Sequence, residues 1–142
     1  MKKLLLFLLT LMLGFSTLQV SAQETLTVHD GTATNGYVPV YGFYADAYLK
    51  AEFVISANDL TDMTGGSISG MKFYSSTSSA SWGVANFQVF LTEVNNESIS
   101  AFEGTGNATI VYTGPLSIAN GEMEITFSTE YTYSGGNLLV GI

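Results

Sequence analysis

Apolar residues recur at every second position in several short runs of this chain, and this period of two is the feature that most restricts its fold. In the clearest run, residues 122–127 (EMEITF), three apolar residues alternate with three polar ones. Successive side chains of a β-strand point to opposite faces, so this run predicts a strand with one buried and one solvated face. Asn120-Gly121, just before it, is a strong signal for a tight hairpin turn.

Further short runs, alternating or continuously apolar, are separated by turn-forming residues and predict the other strands. They cover residues 25–29, 37–43, 49–55, 68–74, 84–94, 108–113, 116–118 and 137–142, of which 84–94 is the longest. A single helical turn is expected at residues 56–63, with Ser56 or Asn58 as its cap. About eight short strands with almost no helix predict an all-β fold, an antiparallel β-sandwich of jelly-roll-like type.

Residues 1–22 have the pattern of a secretory signal peptide. Lys2 and Lys3 precede an apolar run at residues 4–13, and Val20-Ser21-Ala22 offers small residues for cleavage. The apolar run is too short for a membrane-spanning helix. We therefore expect residues 1–22 to be removed and residues 23–142 to form one β-sandwich domain, without membrane insertion after removal of the signal. The predicted location is secreted or on the outer cell surface.

The printed sequence stops inside an apolar run, NLLVGI at residues 137–142. Because chain termini are usually loose and polar, we expect the domain to be truncated at its C-terminal end. Further domains of the same longer chain would then be its nearest partners. The last strand is accordingly expected to form an open edge that leaves the chain marginally stable and prone to pair with other chains.

Charge and cysteine content exclude several functions. From Gln23 onward two lysines face twelve acidic residues, which gives a net charge of 2 − 12 = −10. Such a surface repels phosphate groups, so neither nucleic acid nor an anionic membrane surface is an expected partner. The chain has no cysteine, which excludes disulfides, thiolate metal sites and cysteine nucleophiles.

The residues that could support catalysis are poorly arranged for it. His29 is the only histidine, and its neighbour Asp30 would point to the opposite face of a strand. Glu122 and Glu124 share a face, as a glycosidase pair would, but their apolar neighbours assign that face to solvent. We expect no enzymatic activity.

Oxygen ligands on loops raise the question of calcium. Asp30 lies in one turn-rich loop, and Asp59 and Asp62 lie three positions apart in another segment. Neither segment matches the twelve-residue EF-hand pattern. The expectation is that the chain has no cofactor, with a structural calcium ion in either segment, at Asp30 or at Asp59 and Asp62, as the alternative.

The segment from Tyr37 to Ser56 is unusually rich in aromatic residues. Such a segment is either part of a buried core or an exposed platform that stacks on a ligand such as a sugar. Phe43, Leu49, Phe53 and Ile55 fit the core. The candidate ligand-binding residues are Tyr37, Tyr41, Tyr44, Tyr48 and Trp82. For Trp82, which follows a serine-rich loop, both a place in the core and a place on the platform stay open.

Four segments together resemble a known type of protein module: TNGYVPVYGFYADAYLKAEFVI, NDLTDMTGGSISGMKFY, WGVANFQVFLTEV and YTYSGGNLLVGI. They are similar to the N-terminal β-sandwich module of large secreted surface proteins of Bacteroidota-type bacteria. Such adhesin-like proteins also carry fibronectin type III or cleaved-adhesin-type domains. The resemblance implies a noncatalytic module at the cell surface and brings no catalytic residues with it.

The sequence therefore supports two hypotheses about function. The first is a noncatalytic, secreted or cell-surface adhesion or binding module of a larger protein, whose partner is an extracellular protein or glycan. The alternative is a carbohydrate-binding accessory domain of an exported hydrolase. The two differ in whether the candidate tyrosines and Trp82 are exposed together.

Overall fold

The computed structural model describes residues 23–28, 32–40 and 48–142 of the chain. These residues form two antiparallel sheets of four strands each, which confirms the predicted all-β sandwich. The strands are β1 (Glu52–Ile55), β2 (Ser67–Tyr74), β3 (Ser79–Ser81), β4 (Phe87–Val94), β5 (Thr109–Gly114), β6 (Ser117–Ala119), β7 (Glu122–Thr132) and β8 (Asn137–Gly141). A 3-10 helix (Ala57–Met63) connects β1 to β2.

The strands pair in a nested order that accounts for the jelly-roll-like architecture. β1 pairs with β8, β2 with β7, β3 with β6 and β4 with β5, as if one long hairpin had been rolled up. Pairing of β4 with β8 completes the first sheet, in the order β1-β8-β4-β5. Pairing of β6 with β7 completes the second sheet, in the order β2-β7-β6-β3.

The core lies between the two sheets, where the inward-facing residues of both meet. In β7, Met123, Ile125 and Phe127 are buried, while Glu124 and Thr126 between them are exposed, as the alternation predicts. Phe53 of the first sheet and Phe73 of the second meet edge to face, with ring centroids 6.1 Å apart. Such aromatic pairs stabilise a core beyond the area they bury.

Two turn predictions are confirmed in detail. The Ser56 side chain accepts a hydrogen bond from the Asn58 backbone N–H at 3.3 Å and so caps the 3-10 helix. Asn120 and Gly121 both adopt positive φ, 55° and 81°, and join β6 to β7. Two successive residues with positive φ are what a two-residue hairpin loop of type I′ requires.

Several predicted strands differ from the observed ones. Residues 25–28 and 37–40, the described parts of two predicted strands, are not in a sheet, although Leu26, Val28 and Val40 contact the core. β4 begins at Phe87 rather than at residue 84, and β7, with 11 residues, is the longest strand. β3 lies in a segment that the sequence predicts to be a loop.

The expected open edge at the last strand is wrong. β8 lies between β1 and β4 and pairs with both, so neither of its edges is open. Leu138, Val140 and Ile142 belong to the core between the sheets. The apolar run at residues 137–142 is therefore the centre of the first sheet.

A long connection reaches across the outer side of the first sheet. β4 and β5 lie on one side of β8, and β1 lies on the other. In the connection between β4 and β5, residues 95–108 (the covering loop), the backbone N–H groups of Glu103 and Gly104 donate to the Glu52 carboxylate of β1, at 2.6 and 2.9 Å. The covering loop must therefore cross β8 on its outer face.

Two apolar residues are buried on this outer side of the first sheet. Leu139 of β8 and Phe90 of β4 face away from the core, yet Leu139 is 0% exposed and Phe90 is buried. Phe90 is paired with Gly141, and its ring occupies the space that a side chain at residue 141 would need. This outer cluster is a second, smaller apolar layer of the domain.

Replacement of Gly141 by alanine tests the outer cluster. The added Cβ would overlap the Phe90 ring. We therefore expect Gly141→Ala to lower the free energy of unfolding by about 2 kcal/mol or more, as overpacking of a core does. Chemical denaturation measures the change.

Gly106→Ala is the matched control for this substitution, because a Cβ at residue 106 meets no atom within 4 Å. An exposed change of this kind should alter stability by less than about 0.5 kcal/mol. Equal stability of the two variants would contradict the packing of Phe90 on Gly141.

Replacement of Glu52 by glutamine tests how the covering loop is held. The change removes the charge from two charge-assisted hydrogen bonds and turns one acceptor into a donor, which should cost about 1–2 kcal/mol. Hydrogen exchange of the Glu103 and Gly104 amides should accelerate more than exchange in β7. Glu97→Gln, an exposed change in the same loop, should leave the exchange rates of the Glu103 and Gly104 amides unchanged. Unchanged exchange in Glu52→Gln would show that other contacts hold the loop.

Candidate binding face

The predicted aromatic platform is only partly visible. Tyr37 and Tyr48 are strongly exposed, at 69% and 95% of their surface. Tyr41 and Tyr44 lie outside the described residues, as does Asp30 of the predicted calcium site. The grouping of the four tyrosines therefore stays a prediction.

Trp82 does not extend such a platform. Its side chain is buried and belongs to the core between the sheets. It meets Phe87 edge to face, with ring centroids 5.8 Å apart and an angle of 79° between the rings. Of the two interpretations that the sequence leaves open, the structure supports the place in the core.

The other two candidate calcium ligands, Asp59 and Asp62, lie on the 3-10 helix. Asp59 is in its first turn and Asp62 near its end, and both are exposed. Within residues 23–28, 32–40 and 48–142, no three His, Cys, Asp or Glu side chains are grouped so that they could hold a metal ion. Calcium binding in the loop that contains Asp30 stays a prediction.

The outer face of the second sheet carries a different arrangement, which we call the open face. Tyr74 of β2 is paired with Glu122 of β7, Glu122 with Ala119 of β6, and Ala119 with Ser79 of β3. These four residues form one row across the whole sheet. With strands about 4.8 Å apart, the row is about 14 Å long. Tyr74 stands at one end of it and is 75% exposed.

A group of three charges lies beside Tyr74. The Lys72 ammonium donates to the Glu122 carboxylate at 2.9 Å and lies 4.0 Å from that of Glu124. The hydrogen bond to Glu122 and its negative charge raise the pKa of Lys72 above its ordinary value. One positive and two negative charges leave this part of the face with a net charge of 1 − 2 = −1.

Short side chains make up the other half of the open face, and backbone bonds fix its border. Outward-facing positions of β3 and β6 hold Ser79, Ser81, Ser117 and Ala119, all exposed. The loop after β2 is tied to the β6–β7 turn, since Ser75 N–H donates to the Gly121 carbonyl at 2.8 Å and Gly121 N–H to the Ser78 carbonyl at 2.9 Å. The open face therefore has short side chains on β3 and β6 and longer side chains on β2 and β7.

Another carboxylate holds the end of the sandwich. The Glu93 carboxylate accepts the backbone N–H groups of Ser134 and Gly136, at 2.8 and 2.6 Å. The Tyr133 hydroxyl donates to the Gly136 carbonyl at 2.7 Å. Burial, with the negative charge of Glu93 as the second cause, raises the pKa of Tyr131 and of Tyr133. These contacts close the β7–β8 turn and place Glu93 in a structural role.

Sequence reasoning missed Tyr74 and Lys72 as candidate binding residues. It assigned Glu122 and Glu124 to solvent correctly, and alternation within β2 puts Lys72 and Tyr74 on one face as well. The pairing of β2 with β7, which brings the two groups together, cannot be read from either segment alone.

Comparisons with protein-family models, with curated proteins and with solved structures gave no match for this chain. Among the described residues, no helix has the length and apolar character needed to cross a membrane.

The tyrosines near Glu93 predict alkaline destabilisation. Folding raises the pKa of Tyr131 and of Tyr133. At a pH between the unfolded-state and folded-state pKa values, both hydroxyl groups are ionised in the unfolded chain and protonated in the folded chain. The contribution of these two tyrosines to stability should therefore be constant below the ordinary tyrosine pKa of about 10 and fall as the pH rises through the folded-state values. Denaturation at a series of pH values measures this fall.

Tyr133→Phe removes the hydroxyl group and keeps the aromatic ring, so it tests the hydroxyl group alone. It removes the hydrogen bond to Gly136. This loss should cost about 1 kcal/mol at neutral pH, while the alkaline fall in stability becomes smaller. Tyr48→Phe, at a strongly exposed position, is the control and should change neither quantity. An alkaline profile in Tyr133→Phe identical to that of the unmodified chain would contradict this account.

Proposed function

We propose that this chain is a noncatalytic adhesion or binding module that acts outside the cell as part of a larger protein. We further propose that it contacts its partner, an extracellular protein or glycan, through the open face. The signal-peptide pattern and the resemblance to surface modules support the location and the role. The difference between the two outer faces of the sandwich supports the choice of the open face as the binding surface.

That difference is the observation on which the proposal rests. On the first sheet, the covering loop crosses the outer face, and the outward-facing Leu139 and Phe90 are buried. On the second sheet, the outward-facing Tyr74, Glu124 and Ser79 are exposed. The second face presents the exposed Tyr74 ring and the Lys72–Glu122–Glu124 charges directly from its strands. Exposed aromatic residues are enriched among those that dominate binding energy.

A carbohydrate-binding accessory domain of an exported hydrolase is the second candidate. The rings of Tyr37, Tyr48 and Tyr74 are exposed, which favours this candidate because an aromatic ring can stack on the apolar face of a sugar. The burial of Trp82 removes one residue from the platform that the sequence suggested for this function.

Adhesion assays with single variants test the proposal. Beads carrying the purified exported chain should adhere to one or more of a set of surfaces coated with mucin, collagen, fibronectin or cell-wall polysaccharide. Tyr74→Ala should reduce that adhesion about tenfold, because loss of a dominant contact residue costs more than about 1 kcal/mol of binding energy.

The matched control is Phe102→Ala, which removes an exposed aromatic side chain from the covering loop over the other face. It should leave adhesion unchanged, and thermal unfolding of both variants establishes that they are folded. Equal loss of adhesion in the two variants, or none in Tyr74→Ala, would refute the assignment of the open face.

A further inference from the structure

The composition of the open face distinguishes between classes of partner. Lys, Glu, Ser and Ala are depleted in protein–protein interfaces, whereas tyrosine is enriched. Apart from Tyr74, the row and its neighbours consist of those depleted residues: Lys72, Ser79, Ser81, Ser117, Ala119, Glu122 and Glu124. A protein partner would have to desolvate three charges beside a single aromatic ring.

Sugar hydroxyl groups suit the same residues. A carboxylate accepts hydroxyl hydrogen bonds that are stronger than those between neutral groups, and a lysine ammonium donates them. The side chains of Glu122 and Glu124 retain 43% and 68% of their exposure although both contact Lys72, so each keeps acceptor capacity toward solvent. The Tyr74 ring beside them offers an apolar surface to the C–H groups of a sugar ring.

Charge selects among sugars. The open face has a net charge of −1 around Lys72, and the whole chain has a net charge of −8. Lys72 is already engaged by two carboxylates and is a poor site for an added anion. Sulfated or uronate-containing glycans are therefore repelled, whereas a neutral glycan meets no electrostatic penalty.

We propose that the open face binds a neutral glycan, with Tyr74 stacked on one sugar ring and Lys72, Glu122 and Glu124 hydrogen-bonded to its hydroxyl groups. The glycan continues along the row, over the short side chains of β6 and β3, toward Ser79. At the spacing of neighbouring strands this row is about 14 Å long, which accommodates an oligosaccharide rather than one ring. This inference rests on the proposed use of the open face for binding, and it specifies the ligand.

A printed array of neutral, uronate-containing and sulfated glycans tests the inference, with affinity electrophoresis in neutral glucan, mannan and polygalacturonate gels for quantification. We expect binding to one or more neutral glycans, none to the anionic ones, and little dependence on salt concentration. Tyr74→Ala should weaken the binding at least tenfold, Tyr74→Phe should retain it, and Phe102→Ala should equal the unmodified chain.

The outcomes separate this inference from the proposed function. Binding only to anionic glycans, no binding to any neutral glycan on the array, or neutral-glycan binding that survives Tyr74→Ala would each overturn the inference. If the chain binds no glycan on the array but Tyr74→Ala still abolishes adhesion to a protein-coated surface, the open face binds a protein and the proposed function stands. If Tyr74→Ala changes neither measurement, both proposals fail.

Discussion

The placement of β8 between β1 and β4 is the constraint from which much of this structure follows. A central strand is covered by neighbours along both edges, so its backbone groups are paired, but its two faces need separate cover. The core between the sheets covers Leu138 and Val140. Leu139 points the other way and needs a layer of its own. The covering loop, held by Glu52, crosses on this side of the sheet.

The same constraint makes the two outer faces unequal. The first sheet carries apolar residues on its outer side, because β8 is apolar at successive positions, and Gly141 leaves room for the Phe90 ring. In the second sheet, β7 alternates strictly through residues 122–127, so its outer side is polar and stable in water without a cover. A polar face that needs no protein layer over it stays accessible to a ligand. The pattern of apolar and polar residues in each sheet therefore determines which outer face can bind a partner.

How far the sequence predicts this fold depends on the kind of signal in each segment. Alternation in β7 and the Asn120-Gly121 turn act locally, and the structure confirms both. The same rule fails at residues 25–28, where Leu26 and Val28 contact the core without strand pairing. Alternation specifies a buried side and a solvated side, and sheet membership additionally needs a partner strand. For residues 137–142 the prediction of an open edge is wrong, because a short continuous apolar run is also what a strand buried on both faces shows.

The candidate binding face was beyond local reasoning for a related reason. Tyr74 and Glu122 are 48 positions apart in sequence, and Glu122 and Ser79 are 43 apart, yet pairing of β2, β7, β6 and β3 puts them in one row. A shift of one residue in the β2–β7 register would turn Tyr74 and Lys72 toward the core and Phe73 toward solvent. Packing of the partly buried Phe73 and Met71 against the core therefore fixes the register and, with it, the position of Lys72 between two carboxylates. The same apolar contacts that stabilise the sandwich also determine the arrangement of polar groups on its open face.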